Sequence, residues 1–313
     1  MSTITFLGNF RASYTSESHH ASSLKSLGHK VVKLQESEAT SDQIYKSASQ
    51  SDIFVWVHTH GWKTPGTMSM EEVLAKLNDE GVITLTYHLD LWFGLKRQKD
   101  LEKDPVYKNI QHFFTVDKKM ADWFNKSTNV KGHYLPAGVF GQECYYRPQR
   151  LKHGVVFVGS KKYHPEWTYR PKLINWLGDT YGKGFEHYGG DGIRIVRGKE
   201  LNNLYASTKI VVGDTLCPDF TYENYWSDRI YETMGRGGFI IHPYISGLEK
   251  EFIDGENVVF YEYKNLKQLK ELIDYYLTHD DEREKIRMAG HNLVKENYTY
   301  KNRWQHIMKE IEK

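Results

Sequence analysis

Cysteine is almost missing from this chain: among 313 residues only Cys144 and Cys217 occur, and neither stands in a Cys-x-x-Cys pair. No disulfide scaffold and no zinc-site spacing is therefore suggested. Long apolar runs are missing too; none approaches the ~18 residues of a membrane span. The N-terminus reads as a short strand, not a secretory leader. Net charge is only +2, with a pI near 8.2, which by itself argues for neither a nucleic-acid nor a membrane partner. No Gly-x-Gly-x-x-Gly follows the first strand, which argues against a dinucleotide oxidoreductase. No Asp-x-Asp motif is present either. These absences lead to the expectation of a reduced, soluble, cytoplasmic protein.

What is present is length, aromatics and alternation. Single cores rarely grow past ~250–300 residues, so 313 residues predict two domains of similar size. Aromatic content is 14%, with 22 Tyr and 8 Trp; such residues fill cores but also stack on sugars and bases. Strands are predicted at 4–7, 31–34, 53–57, 82–87 and 112–116, and helices at 16–27, 42–49, 70–77 and 119–125. Gly28 is a predicted helix C-cap. The run 53–57 is almost wholly apolar, as in a strand buried on both faces. Residues 141–152 read as a linker. The second half restarts with strands at 155–158, 185–188, 209–212 and 239–241 and helices at 171–177, 199–206 and 227–234. Three helical stretches fill 266–313. This β-α-β-α order predicts an α/β protein with two mostly parallel sheets, divided into domains 1–145 and 146–313. Open sheets of this kind place ligands outside their carboxyl strand ends.

The segment 214–257 carries the densest chemistry. Ser227 or Asp228 is a candidate helix cap, and a helix N-terminus there suits a diphosphate. Arg229 adds a charge-assisted bond. Glu232 lies three residues on, on the same helix face, where its carboxylate can accept ribose hydroxyls. Gly237 sits in the turn Gly235-Arg236-Gly237-Gly238 before an apolar strand. An ordinary surface Arg–Glu pair beside a tight turn is the plainer alternative.

This segment resembles the donor-binding signature of GT-B glycosyltransferases, especially group 1 and the spore-maturation CgeB-like sequences with their bacteriophage-encoded relatives. The matching elements are the Glu232 helix, the glycine turn, the strand Phe239-Ile240-Ile241, then Gly247-Leu248-Glu249 and Asp254-Gly255. Leu135-Pro136-Ala137-Gly138-Val139 resembles the end of that family's first domain, Val57-His58-Thr59-His60 its acceptor-side histidine motif, and Val158-Gly159 the opening of its second. The resemblance implies a GT-B fold, two Rossmann-like domains facing across a cleft with C-terminal helices. Residues 1–145 would be the acceptor side and 146–313 the nucleotide-sugar side. It implies a nucleotide sugar, a UDP-sugar first, as co-substrate, with no tightly bound cofactor and no essential metal. Many retaining members carry two glutamates separated by seven intervening residues. Here Asn224 stands at that spacing before Glu232, and Glu223 is one residue off. Lys161, Lys162 and Arg170 stand in for the family's Arg and Lys after the Val-Gly turn by position only.

On the acceptor side, His58, His60, His88 and Asp90 follow predicted strands, where a His or Asp can take or orient a proton; His60, His88 and Asp90 are the catalytic candidates. Metal ligation is the competing reading for two His and an Asp. Gly8 ends the first strand and can approach a donor sugar. Phe10, Tyr14, Trp62 and Trp92 are candidate stacking platforms. The stretch 92–108 mixes Lys96, Arg97, Lys99, Lys103 and Lys108 with three acidic residues, either a solvated loop or an acceptor lid for a polyanion. The leading expectation is sugar transfer to an acceptor hydroxyl. A hydroxymethylated DNA base is one candidate acceptor, by the bacteriophage resemblance; a saccharide or protein is the other. A sugar-nucleotide 2-epimerase and a non-catalytic nucleotide-sugar-binding protein are the remaining readings.

Overall fold

The computed structural model describes residues 1–59, 61–91, 104, 108–162, 167–215 and 222–313. They form two compact units, Met1–Pro136 with Tyr300–Lys313, and Ala137–Thr299. The last helix thus belongs to the first unit, whereas the sequence reading assigned the whole tail to the second.

The first unit holds β1 (Thr3–Gly8), α1 (Ser16–Ser26), β2 (Lys30–Gln35), α2 (Ser41–Ala48), β3 (Ile53–Trp56), α3 (Met70–Asp79), β4 (Ile83–His88), β5 (His112–Thr115), α4 (Lys118–Ser127), β6 (Lys131–Tyr134) and, from the end of the chain, α10 (Tyr300–Ile311). Its six strands run in the order β2-β1-β3-β4-β5-β6, every pair parallel. Local chemistry starts the helices. Thr40 with Gln43 and Ser69 with Glu72 form capping boxes, and Asp117 accepts from two backbone N–H groups of α4, satisfying donors that a helix start leaves unpaired. At the end of α1 the N–H groups of Gly28 and His29 return to Lys25 and Leu24, the Schellman pattern. Neighbouring residues of β1 serve opposite faces. Leu7 packs with Phe54, Trp56, Val73, Leu74 and Phe124, while Phe6 meets Trp304 of α10 edge-on at 6.4 Å.

The second unit holds β7 (His153–Val158), α5 (Tyr169–Tyr181), β8 (Phe185–Tyr188), α6 (Gly198–Ala206), β9 (Thr208–Val212), α7 (Arg229–Gly235), β10 (Ile240–Pro243), β11 (Val259–Tyr261), α8 (Leu266–Thr278) and α9 (Asp280–Asn297). The sheet order is β11-β10-β9-β7-β8, again all parallel. The strand β11 was not expected; it is three residues long and directly follows the Asp254-Gly255 turn. Arg287 of α9 is buried and donates to the carbonyls of Tyr205, Gly237 and Thr208 at 3.2, 2.9 and 2.7 Å, tying α9 to the amino edge of the sheet.

In each sheet the chain reverses its direction of travel once, between β1 and β3 and between β7 and β9. Such a switch point leaves a crevice at the carboxyl strand ends because the flanking crossovers leave in opposite directions. No helix among the described residues is long and apolar enough to cross a membrane.

Candidate functional site

The β7/β9 switch point collects charge. Val158 ends β7, and Gly159 follows with φ +146°. A Cβ on Gly159 would lie 2.7 Å from a guanidinium nitrogen of Arg229. Arg229 donates to the Val158 carbonyl and lies over the Phe157 ring at 5.2 Å. Burial, with the charge of Arg170 beside it, lowers its pKa from the usual arginine value, though guanidinium remains a cation at neutral pH. Arg170 reaches the same edge from α5. Its Nε donates to Asp214 Oδ2 at 2.9 Å and its Nη1 to the Ser160 carbonyl at 3.3 Å.

Asp214 follows β9 and is fully buried. Its Oδ2 also accepts from Trp167 Nε1 at 3.0 Å. The Tyr263 hydroxyl, after β11, reaches Asp214 Oδ1 at 3.3 Å and the Thr215 carbonyl at 3.1 Å. Ser227 N–H donates to Thr215 Oγ1 at 2.9 Å. Two polar atoms here, Ser227 Oγ and Arg229 Nε, are buried with no hydrogen-bond partner among the described residues. Buried polar atoms are rarely left so, and a bound anion or hydroxyl would satisfy both.

Other donor candidates fall differently. Ser227 does not cap the helix. Asp228 holds the N-cap position, in helical conformation and without a side-chain cap bond, so the expected cap is corrected. Glu232 is half-buried and faces Arg236 at 3.6 Å. Arg236 in turn pairs with Glu143 and donates to Asn202 Oδ1 at 2.7 Å. Asn224 adopts φ 52° and donates its N–H to the Ser246 carbonyl at 2.8 Å, beside the Gly247 turn beyond β10. Gly237 lies before β10, at the amino edge, with its carbonyl taken by Arg287 and a would-be Cβ 2.4 Å from Tyr146. It is a packing glycine, and its expected place at the donor is corrected: the glycine at the carboxyl edge is Gly159.

The β1/β3 switch point gathers acidic groups. Gly8 ends β1, and a Cβ there would meet Glu17 Cγ at 2.8 Å. Burial raises the Glu17 pKa, and the charges of Glu36 and Asp90 add to it against bonds from its own N–H and that of Asn9. His58 is buried between two carboxylates, with Nδ1 2.8 Å from Glu36 and Nε2 3.0 Å from Asp104. Glu36 also accepts from Trp56 Nε1 at 2.9 Å and from Thr59 N–H at 3.0 Å. Burial opposes protonation of His58, but the two carboxylates outweigh it and raise its pKa to about 9. At neutral pH it is an imidazolium with both N–H groups engaged, so it takes no proton from an acceptor.

His88 is the last residue of β4 rather than the first beyond it. It is buried, with its ring 5.9 Å from Phe113. Asp90 is half-buried near Glu17. Phe10 packs on Phe6 at 5.3 Å, so it is no free platform, whereas Tyr14 and Trp62 are 59% and 39% exposed at this edge. His60, Trp92 and Arg97 lie outside the described residues. Among the described residues no group of three or more His, Cys, Asp or Glu is placed to hold a metal ion.

Residues 157–309, just under half of the chain, match the family model described as glycosyl transferase-like. No curated protein sequence matches. Solved structures do. HepE from Anabaena, in complex with UDP-glucose, is similar at TM-score 0.68 with 11% identity, over 100% of both chains. An alpha-glucosyltransferase in complex with UDP and a 13-mer DNA is similar at 0.72 with 9% identity, again over 100% of both. Sucrose-phosphate synthase from Thermosynechococcus elongatus reaches 0.61 with 8% identity over 99% of each. The two parallel-strand sheets are those of the GT-B fold. The second unit thus resembles glycosyl transferase-like proteins, and the fold of the chain is similar to that of these solved structures.

Proposed function

We propose that the protein transfers a sugar from a UDP-sugar to an acceptor hydroxyl, with the donor held by the second unit. One observation carries this: Arg170 and Arg229 converge at the β7/β9 switch point, beside the unpartnered Ser227 Oγ and Arg229 Nε. Two guanidinium groups in a partly desolvated place suit a diphosphate, whose charge grows as it leaves, and fixed cations there stabilise that growth. Glu232 is assigned to the ribose hydroxyls, and Asn224 stands near the transferred sugar in place of the family's first glutamate. UDP in HepE and in the alpha-glucosyltransferase supports the choice of nucleotide.

On the acceptor side, Asp90 and His88 at the end of β4 are the groups assigned to the acceptor hydroxyl, with Trp62 as its stacking surface. Glu17, which the sequence reading did not single out, joins them through its raised pKa. The acceptor assigned is a hydroxymethylated base in DNA. The alpha-glucosyltransferase bound to DNA supports this, and a base within a duplex would have to be flipped out to react. A saccharide or protein acceptor is the alternative.

Incubation with UDP-, GDP- and dTDP-sugars, with and without EDTA, tests the reading. The expected outcome is hydrolysis of a UDP-sugar that EDTA leaves intact, because the arginine pair, and no Asp-x-Asp-bound metal, meets the diphosphate. Loss of hydrolysis with EDTA and its return with Mn²⁺ would contradict the metal-free reading; no hydrolysis of any donor would contradict the enzyme.

A further inference from the structure

Arg170 is paired in an unusual direction. A carboxylate facing a guanidinium end-on occupies two parallel N–H bonds and spends the fork that would otherwise grip an anion. Here Asp214 takes the Nε edge through one oxygen at 2.9 Å, and the Ser160 carbonyl takes one Nη1 hydrogen at 3.3 Å. The remaining N–H bonds of Arg170 have no partner among the described residues. Asp214 is itself fixed from two further sides, by the Trp167 indole at 3.0 Å and the Tyr263 hydroxyl at 3.3 Å. These aromatics brace each other, Trp167 and Tyr263 having ring centroids 5.8 Å apart and Tyr169 and Tyr263 5.2 Å. A fully buried carboxylate is costly unless its oxygens are engaged, and this one is engaged by three side chains from two separate parts of the chain.

We propose that Asp214 is a positioning residue: held by Trp167 and Tyr263, it aims Arg170 so that the free fork of Arg170 and the guanidinium of Arg229 form one seat for the donor's diphosphate. The inference rests on the donor reading given above. Asp214 touches no substrate in this role. It balances one of the two adjacent cations and leaves the other to be balanced by the phosphates. Without it the cations repel each other and Arg170 loses its direction, so diphosphate affinity falls while nucleoside affinity does not.

Binding of UDP, inorganic pyrophosphate and uridine to Asp214→Asn, Trp167→Phe and Tyr263→Phe, measured by calorimetry beside thermal unfolding, tests this. Asp214→Asn is expected to lose about tenfold or more in affinity for UDP and pyrophosphate, the scale of one charged hydrogen bond, with uridine affinity unchanged. Its KM for the nucleotide sugar should rise more than its kcat falls. Trp167→Phe should show a smaller loss in the same direction. Unchanged pyrophosphate affinity in a folded Asp214→Asn would overturn the proposal, as would equal losses for uridine and pyrophosphate, which mark a general loosening. Should Asp214→Asn fail to fold, unchanged pyrophosphate affinity in both aromatic variants overturns it instead. A wild-type protein that binds neither UDP nor pyrophosphate would bring down the donor reading itself, which separates the two failures.

Discussion

At the scale of single residues, Gly159 shows how backbone freedom serves a side chain. Its φ of +146° is open to glycine and strained for any other residue, and the missing Cβ leaves the space that Arg229 fills. Gly159→Ala should therefore cost ~1–3 kcal/mol in stability and push the guanidinium aside. Donor affinity, measured by UDP titration, is expected to fall by more than the shift in unfolding explains. His58 gives a second residue-scale prediction. With its pKa raised to about 9, its ion pairs contribute stability that is complete below the ordinary histidine value of about 6.5 and is lost as pH rises through about 9. A ¹H–¹⁵N imidazole spectrum should show His58 doubly protonated at pH 7.5. A neutral ring there would remove the argument that it cannot serve as a base, and would restore it beside Asp90. The sequence showed His58 at a strand end but not its two carboxylates. Glu36 and Asp104 are 22 and 46 positions away, and only the parallel sheet brings the residue just past β2 within reach, across β1, of the residues just past β3.

Among the elements, α10 carries a polar contact within its buried face. Trp304 Nε1 donates to His20 Nδ1 at 3.0 Å, and His20 packs between Tyr300 and Tyr87 at 4.3 and 5.3 Å. Trp304→Phe keeps most of the packing and strands a buried acceptor, so the first unit should lose ~1–3 kcal/mol; Trp304→Ala should lose ~3–5 kcal/mol. Burial holds His20 down at about 3. Below pH 6.5 the unfolded chain takes up a proton that the folded one refuses, so stability falls as pH drops and levels off near pH 3. Denaturant titrations at pH 7.5 and 5 check both effects, and a wild type equally stable at both would contradict the buried neutral ring. Helical periodicity and caps made most of these elements legible beforehand. What periodicity did not carry was partnership. Helix α10 reads as the third of three tail helices, and nothing local in residues 300–313 says that it packs on α1 near the other end of the chain. The same limit hid Trp167 and Tyr263. Asp214 had a local signal, following the apolar β9 through Gly213 much as Gly159 follows β7, but its three donors come from α5, a residue just before α5, and the stretch beyond β11.

For the molecule as a whole, the acceptor remains to be tied to chemistry that the bulk charge does not supply. A chain of net charge +2 has no general attraction for a polyanion, so binding to DNA requires a local patch. Lys96, Arg97 and Lys99, which lie outside the described residues, are the densest basic run in the first half of the sequence. Each phosphate met by such a side chain adds about −0.9 to the slope of log affinity against log salt on duplex DNA. Removing all three is expected to flatten that slope by up to about 3 and to weaken DNA binding at low salt. UDP-sugar hydrolysis should stay as it was, because Arg170 and Arg229, the seat proposed for the diphosphate, belong to the second unit. Fluorescence anisotropy with a labelled hydroxymethylated duplex at several salt concentrations reads the slope, and transfer of labelled sugar to the same duplex reads the chemistry. A slope unchanged in the triple variant would move the DNA contact elsewhere on the protein. No salt-dependent binding by the wild type, together with no transfer from a donor that it hydrolyses, would favour a saccharide or protein acceptor, and Trp62 and Tyr14 would then be the first surfaces to probe with an oligosaccharide.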